Sequence, residues 1–252
     1  MAGVGSVADD SGGWDTTVSY DHTAVLILAL DTTTRGGSIA ITRDQVVAAV
    51  VEGDASRTHG ERLPEEIQRV LTAAGVAAAD LDLLVVASGP GAFTGLRIGI
   101  AAIQGLSMVV GAPVIGISAL DALAELTWPA VDTSVTTLAA WMDAARGEVF
   151  AVDYTRSGQS DPVVASPAAI LSTISPNPTG IAFVGDGASR YRADILAWAP
   201  HSAILPLPVA LAPTLALIGG RRVDAAGPPH ALQPLYIRRP DPELERLRRS
   251  GA

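Results

Sequence analysis

Three short stretches carry the residues best able to do chemistry. Asp31 is followed by Thr32, Thr33 and Thr34, a carboxylate beside three hydroxyls that could hold a divalent cation and a phosphate group. Hydroxyls at a strand end also serve simply to close a turn, so a structural reading stands beside the chemical one. From Ser88 to Gly99 the chain reads Ser-Gly-Pro-Gly-Ala-Phe-Thr-Gly-Leu-Arg-Ile-Gly. Such a turn can bring bare N–H groups and a helix N-terminus to one point, where an anion or a partner's backbone could sit, although chain reversal alone uses the same glycines. His59 lies two residues before Glu61 at the start of an apolar-periodic run. A base and its orienter could be drawn there, but side chains two apart on a helix need not face each other, which favours a polar residue at a helix entrance or subunit contact. The chain has four histidines, no H-E-x-x-H and no cysteine, so thiolate nucleophiles, disulfides and sulfur-ligated metals are excluded.

Composition narrows the class. The 252 residues are 48% hydrophobic and 17% charged, enough to bury one large core or two smaller ones. All 17 basic residues are arginine, and 26 acidic residues leave a formal charge of −9, which argues against a surface built to hold nucleic acid phosphates. Apolar runs such as Ala24 to Leu30 and Ile98 to Val110 fall short of the about 20 residues that span a bilayer. Residues 1–23 are rich in Gly, Ser, Asp and Thr, with neither a basic start nor an apolar centre, and read as a floppy extension rather than a secretory signal.

The elements that must position these residues follow from periodicity. Ala24 to Leu30, Gly37 to Thr42 and Gln45 to Val51 read as strands, the last two joined by a turn at Arg43-Asp44. A helix from Gly60 to Ala74 places Leu63, Ile67, Val70, Leu71 and Ala74 on one stripe, with Pro64 tolerable in its first turn. A strand at Leu83 to Ala87, a helix from Thr94 as N-cap to Val110, a strand at Pro113 to Gly116 and a helix from Ser118 to Leu126 follow. After a linker at Thr127 to Ser134 the order recurs in shortened form. Strands are predicted at Thr136 to Met142 and Glu148 to Tyr154, a helix opening at Ser166-Pro167, and a strand at Ile181 to Val184 running into Gly185-Asp186-Gly187. Helices through Tyr191 to Trp198 and Thr214 to Arg222 close the second half.

A duplicated βββαβαβα order is that of the two-lobed actin, Hsp70 and sugar-kinase superfamily, so an α/β actin-like ATPase fold is expected by analogy. The division predicted is an extension at 1–23, a first lobe at 24–128, a truncated second lobe at 129–239 and a tail at 240–252. Six motifs carry a sharper resemblance: Leu30 to Thr34, His59 to Pro64, Gly89 to Gly99 leading into Gly105-Leu106, Asp143 to Phe150, Gly185 to Ala188, and Pro234 to Arg238. In this order and spacing the chain resembles the TsaB (YeaZ) family, accessory proteins of bacterial tRNA threonylcarbamoyladenosine synthesis. It departs from that family in the leader, in an extra alanine at Ala144 or Ala145, and in Leu63-Pro64 where Leu-Leu-Pro is usual.

The resemblance implies a non-catalytic, cytoplasmic subunit beside a catalytic sister, the TsaD transferase, for modification of ANN-decoding tRNAs. Aligned with the H-x-x-x-H metal motif of that sister, this chain has Ala119 and Leu123, neither with a lone pair to give a metal. No resident metal or cofactor is expected, beyond weak ATP or ADP binding in a vestigial cleft at Asp31, Thr33, Gly89 and Gly91. The implied partners are TsaD as a heterodimer and the TsaE ATPase, with a homodimer when the chain is alone, tRNA reached only indirectly and no membrane.

The helix from Thr94 to Val110 offers the physical argument for an interface. Gly95 and Gly99, like Ala101 and Gly105, lie four apart, and large aliphatic residues fill most of the remaining circumference. Such a helix needs cover on more than one side, from its own lobe or from a second subunit. The expected interface comprises His59, Leu63, Ile67, Gly95, Arg97, Gly99, Ala102 and Gln104, with a bulky residue at Gly99 or Ala102 blocking association while the monomer stays folded. The alternative is a self-sufficient ATPase or small-molecule kinase working with Asp31, Thr33 and the Gly89 turn.

Overall fold

In the computed structural model, which describes residues 24–174, 180–206 and 210–237, the strand Leu26–Asp31 (β1) is buried at every position. Its unbroken apolar run follows from its place at the centre of a five-stranded sheet, with Leu28 and Leu30 in one core and Ile27 and Ala29 in another. Ser38–Arg43 (β2) and Val46–Glu52 (β3) continue antiparallel on one side. Leu83–Gly89 (β4) and Val114–Ser118 (β5) run parallel on the other, giving the order β3-β2-β1-β4-β5. Parallel neighbours need crossovers, supplied by the helices His59–Ala74 (α1) and Phe93–Val110 (α2), which pack together over the core of Leu28, Leu84, Val86 and Ile103.

Ala119–Thr127 (α3), capped by the Ser118 hydroxyl, carries the chain to a second sheet. Thr137–Asp143 (β6) pairs antiparallel with Val149–Thr155 (β7), which in turn pairs with Gly158–Gln159 (β8) and Val163–Ala165 (β9). These last two strands were not anticipated, since two or three residues leave no alternation to read. Pro167–Thr173 (α4), Ile181–Val184 (β10), Asp186–Arg190 (α5), Arg192–Trp198 (α6) and Ala203–Ile204 (β11) complete the unit. The order β11-β10-β6-β7-β8 repeats the first sheet, with the leading strand central, its hairpin partner on one side and parallel strands on the other. This two-sheet duplication is the actin-like arrangement expected from the sequence.

The last helix, Ala212–Arg221 (α7), follows the second sheet in sequence but packs on β1, β2 and β4 of the first. Ala212 N–H donates to Ser38 Oγ at 3.0 Å. Gly219 and Gly220 lie so close to Val85 and Ile27 that a Cβ would come within 2.5 Å and 2.9 Å of them. The physical reason is the apolar face of the first sheet, Ile27, Ala29, Val85 and Ala87, which α7 covers together with α3 in a core that extends to Leu138 and Ala140 of the second sheet.

Three local expectations are corrected. The β2–β3 turn is centred on Asp44 and Gln45, both at positive φ (50° and 65°), one residue later than predicted. The α2 N-cap is Ala92 rather than Thr94, because Ala92 is tied back by its N–H to Thr33 O at 3.3 Å and the helix is already under way at Phe93. Pro64 is the sixth residue of α1, not part of its first turn, and its missing N–H falls opposite the carbonyl of Gly60. The leader 1–23, with Trp14 and His22, and the tail 240–252 lie outside the described residues.

Candidate functional site

The end of β1 meets the glycine turn through direct backbone contact. Asp31, only 2% exposed, accepts on Oδ1 both the Thr33 N–H at 2.8 Å and the Thr33 hydroxyl at 2.5 Å. Thr32 Oγ1 donates to Gly95 O at 2.8 Å. A Cβ on Gly91 would lie 2.6 Å from Thr33 Cβ, so glycine is required there by contact with the Asp31–Thr33 turn itself. Gly89, at φ 126°, is similarly pressed against Leu235 O. Asp31, Thr33 and Gly91 are thus brought together and largely satisfied by one another, while Gly89 is met by Leu235.

A second carboxylate faces this floor from the other sheet. Asp186, at the start of α5, accepts from the N–H groups of Asp143 and Gly187, each at 2.9 Å, and Asp143 pairs with Arg190 at 2.7 Å. Burial raises the pKa of Asp31 despite its Thr33 hydrogen bonds, and the charge of Asp186 adds to the rise; burial likewise raises Asp186. Among the described residues no group of three or more His, Cys, Asp or Glu side chains is placed to hold a metal. Ala119 and Leu123 sit at 0% and 1% exposure in the core shared by the two sheets, presenting only aliphatic carbon.

The feature that the sequence did not signal is a buried ion pair under the β1–β2 loop. Arg62, 2% exposed, meets both oxygens of Glu66 at 2.6 Å. Its other nitrogen donates to Gly36 O and, at 2.8 Å, to His59 Nδ1. His59 Nε2 lies 3.0 Å from Thr34 O, so the ring donates through Nε2 and accepts through Nδ1. Burial, reinforced by the Arg62 charge, lowers the His59 pKa and holds the ring neutral. Glu61 turns away to accept from the Thr58 N–H and hydroxyl at 2.9 and 2.8 Å, so it caps α1 and does not orient His59. The Arg62/Glu66 spacing of four is visible in the sequence, but burial of the pair is not.

Among the residues expected at an interface, Leu63, Gly95 and Gly99 are buried inside the first lobe. A Cβ on Gly99 would lie 2.2 Å from Thr32 Oγ1, so a bulky residue there strikes the monomer itself, a correction to the expectation that the monomer would tolerate it. Ile67 packs half-buried on the same core, and Gln104 donates to Pro229 O at 2.8 Å. Arg97 is exposed, stacked 3.9 Å over the Phe93 ring and 3.2 Å from the Tyr236 hydroxyl. Ala102 and Ile98, both partly buried on the first core, lie at the margin of an uncovered face that spacings of three and four assemble from Thr94, Ala101, Gly105, Met108 and Val109. Met108 and Val109 are 78% and 84% exposed. By length and composition α2 is apolar enough to cross a membrane, with a mean hydropathy of 1.5, yet only a third of it is buried against its own chain.

Comparison with known proteins agrees with this architecture. Residues 43–192 match the family model of TsaD, tRNA N6-adenosine threonylcarbamoyltransferase. The chain is 38% identical over 130 residues to the tRNA threonylcarbamoyladenosine biosynthesis protein TsaB of Escherichia coli, covering 52% of this chain and 55% of that protein, so it spans about half the length of that relative. It is 35% identical over 220 residues to an uncharacterized protein of Mycobacterium tuberculosis, covering 85% of this chain and 92% of that one. In structure it is similar to YeaZ from Pseudomonas aeruginosa, with a TM-score of 0.68 and 25% identity over 84% of this chain and 99% of that chain.

Proposed function

The chain belongs to the TsaB (YeaZ) family of tRNA threonylcarbamoyladenosine biosynthesis, and on that premise we propose that it is a non-catalytic scaffold pairing with a TsaD-type transferase. In this reading the pair recruits the TsaE ATPase, acts on ANN-decoding tRNAs that the transferase rather than this chain holds, and works in the cytoplasm. The chemistry belongs to the partners.

The observation that carries the proposal is the uncovered face of α2. Burying a side chain such as Met108 or Val109 is worth about 1.5–3 kcal/mol, while Ala101 and Gly105 between them let a partner helix approach closely. A relative with the same sheet order would offer equivalent helices, giving a pseudo-symmetric heterodimer; a second copy would give an isologous homodimer when the transferase is missing. The close fit of Gly91 on Thr33 supports a cleft that has turned from ligand contact to internal packing.

The test uses the double variant Met108→Glu, Val109→Glu. Both side chains are exposed, so the monomer is expected to fold unchanged while association with the TsaD-type protein of the same organism, followed by size-exclusion chromatography, is lost. Undiminished association would overturn the proposal. Calorimetric titration with Mg-ATP separates the enzyme alternative, since tight binding and turnover by the isolated chain would favour a self-sufficient ATPase or kinase.

A further inference from the structure

A cavity of about 460 Å3 lies between the outer edge of β5 and the segment 222–233. Two attachments hold that segment to the first sheet. Val114 and Gly227 exchange N–H···O bonds of 2.9 Å in both directions, and Leu235 N–H donates to Ser88 O at 2.7 Å. Between them the chain turns away through a short 3-10 helix, Pro229–Ala231, where Gln104 grips the Pro229 carbonyl.

The consequence falls on Gly116. Leu84 N–H donates to Pro113 O, so residues 113, 115 and 117 turn their peptide groups toward β4, whereas Val114 and Gly116 turn theirs outward. Those of Val114 are taken by Gly227. The N–H and C=O of Gly116 meet no partner among the described residues and open on the cavity. Beside them stands the Ser88 hydroxyl, which also makes no hydrogen bond there, in a residue only 9% exposed. Arg222 lines the same cavity, paired among the described residues with Asp121 Oδ2 at 4.0 Å, while the other oxygen of Asp121 is occupied by the Tyr154 hydroxyl at 2.7 Å. Leu232 and Ile117 supply apolar wall.

An outward N–H and C=O pair on a strand edge is matched by a group that accepts and donates at peptide spacing, and a guanidinium in a chain of net charge −9 selects a carboxylate. The volume is within the range of about 300–1,000 Å3 usual for small-ligand sites. We propose that this cavity binds the carboxyl-terminal end of an extended peptide, which adds to β5 through Gly116 and places its carboxylate on Arg222, with the Ser88 hydroxyl as a further donor.

The test is a titration of the 15N-labelled full chain, followed by amide correlation spectra, with acetyl-Ala-Ala-Ala bearing a free carboxylate and with the same peptide amide-capped. The free acid is expected to shift the Gly116 amide saturably. Capping the peptide, or Arg222→Met in the protein, is expected to weaken binding about tenfold. An unmoved Gly116 resonance at millimolar peptide, or an equal response to both peptides, would overturn the proposal. The capped-peptide comparison needs no variant, so it decides even if Arg222→Met perturbs the fold.

Discussion

Asp31 places its carboxyl where the charged form is disfavoured. Burial raises its pKa above the ordinary carboxylate value, so the folded state binds a proton more readily than the unfolded chain does. At neutral pH its ionisation therefore opposes folding, and the opposition fades as pH falls below the raised folded value. Asp31→Asn retains an oxygen for the Thr33 N–H and hydroxyl, and is expected to raise the melting temperature at pH 7, with the gain shrinking toward acid in scanning calorimetry. His59 acts in the opposite direction. Its folded pKa lies below the ordinary histidine value of 6.5, so the unfolded chain takes up the proton first, and stability is lost as pH falls below 6.5. Glu66→Ala would leave Arg62 buried without its counter-charge, at an expected cost of about 3–5 kcal/mol in urea unfolding with the m-value unchanged.

At the scale of elements, α2 divides cleanly into two faces. Gly95, Gly99, Ile103 and Ser107 press on the first sheet, and Gly99→Val, which would drive carbon into Thr32 Oγ1, is expected to destabilise the isolated chain by about 1–3 kcal/mol in chemical denaturation. Opposite them, Met108 and Val109 stand clear. An exchange to glutamate at either position is expected to move monomer stability by less than about 0.5 kcal/mol, so any loss of association reports on the surface and not on the fold. The apolar, glycine-rich character of this helix was legible in the sequence as a need for cover on more than one side. Which glycines met the lobe and which met solvent was not, because that depends on the rotation of α2 about its axis, set here by Thr32.

For the whole molecule, α7 packs on the first sheet and against α3, the helix that touches strands of both sheets. It is reached only after the second sheet is complete, yet it seals Ile27 and Val85 of the first. Removing the chain from Ala212 onward is expected to abolish cooperative thermal unfolding, because an apolar sheet face would be left to water. The intact chain is expected to unfold in a single calorimetric transition, since one core runs from Ile27 and Val85 to Leu138 and Ala140. Tyr154 on β7 adds a hydrogen bond from the second sheet to Asp121 on α3; burial raises the pKa of its phenol first, and the neighbouring Asp121 charge adds to the rise.

The amino-acid sequence by itself determined the order of the longer elements, the duplication and the family, but not the short strands β8, β9 and β11. Apolar alternation, the Ser166 cap and the glycine motifs are local signals that survive without coordinates. Tertiary structure alone decided that Arg62 and Glu66 are buried, that α7 returns to the first sheet, that Gly91, Gly95 and Gly99 serve internal contact, and that Gly116 faces a cavity. Each of these is a relation between segments far apart in the chain, so its energy depends on which surface arrives opposite, a quantity that no window of neighbouring residues contains.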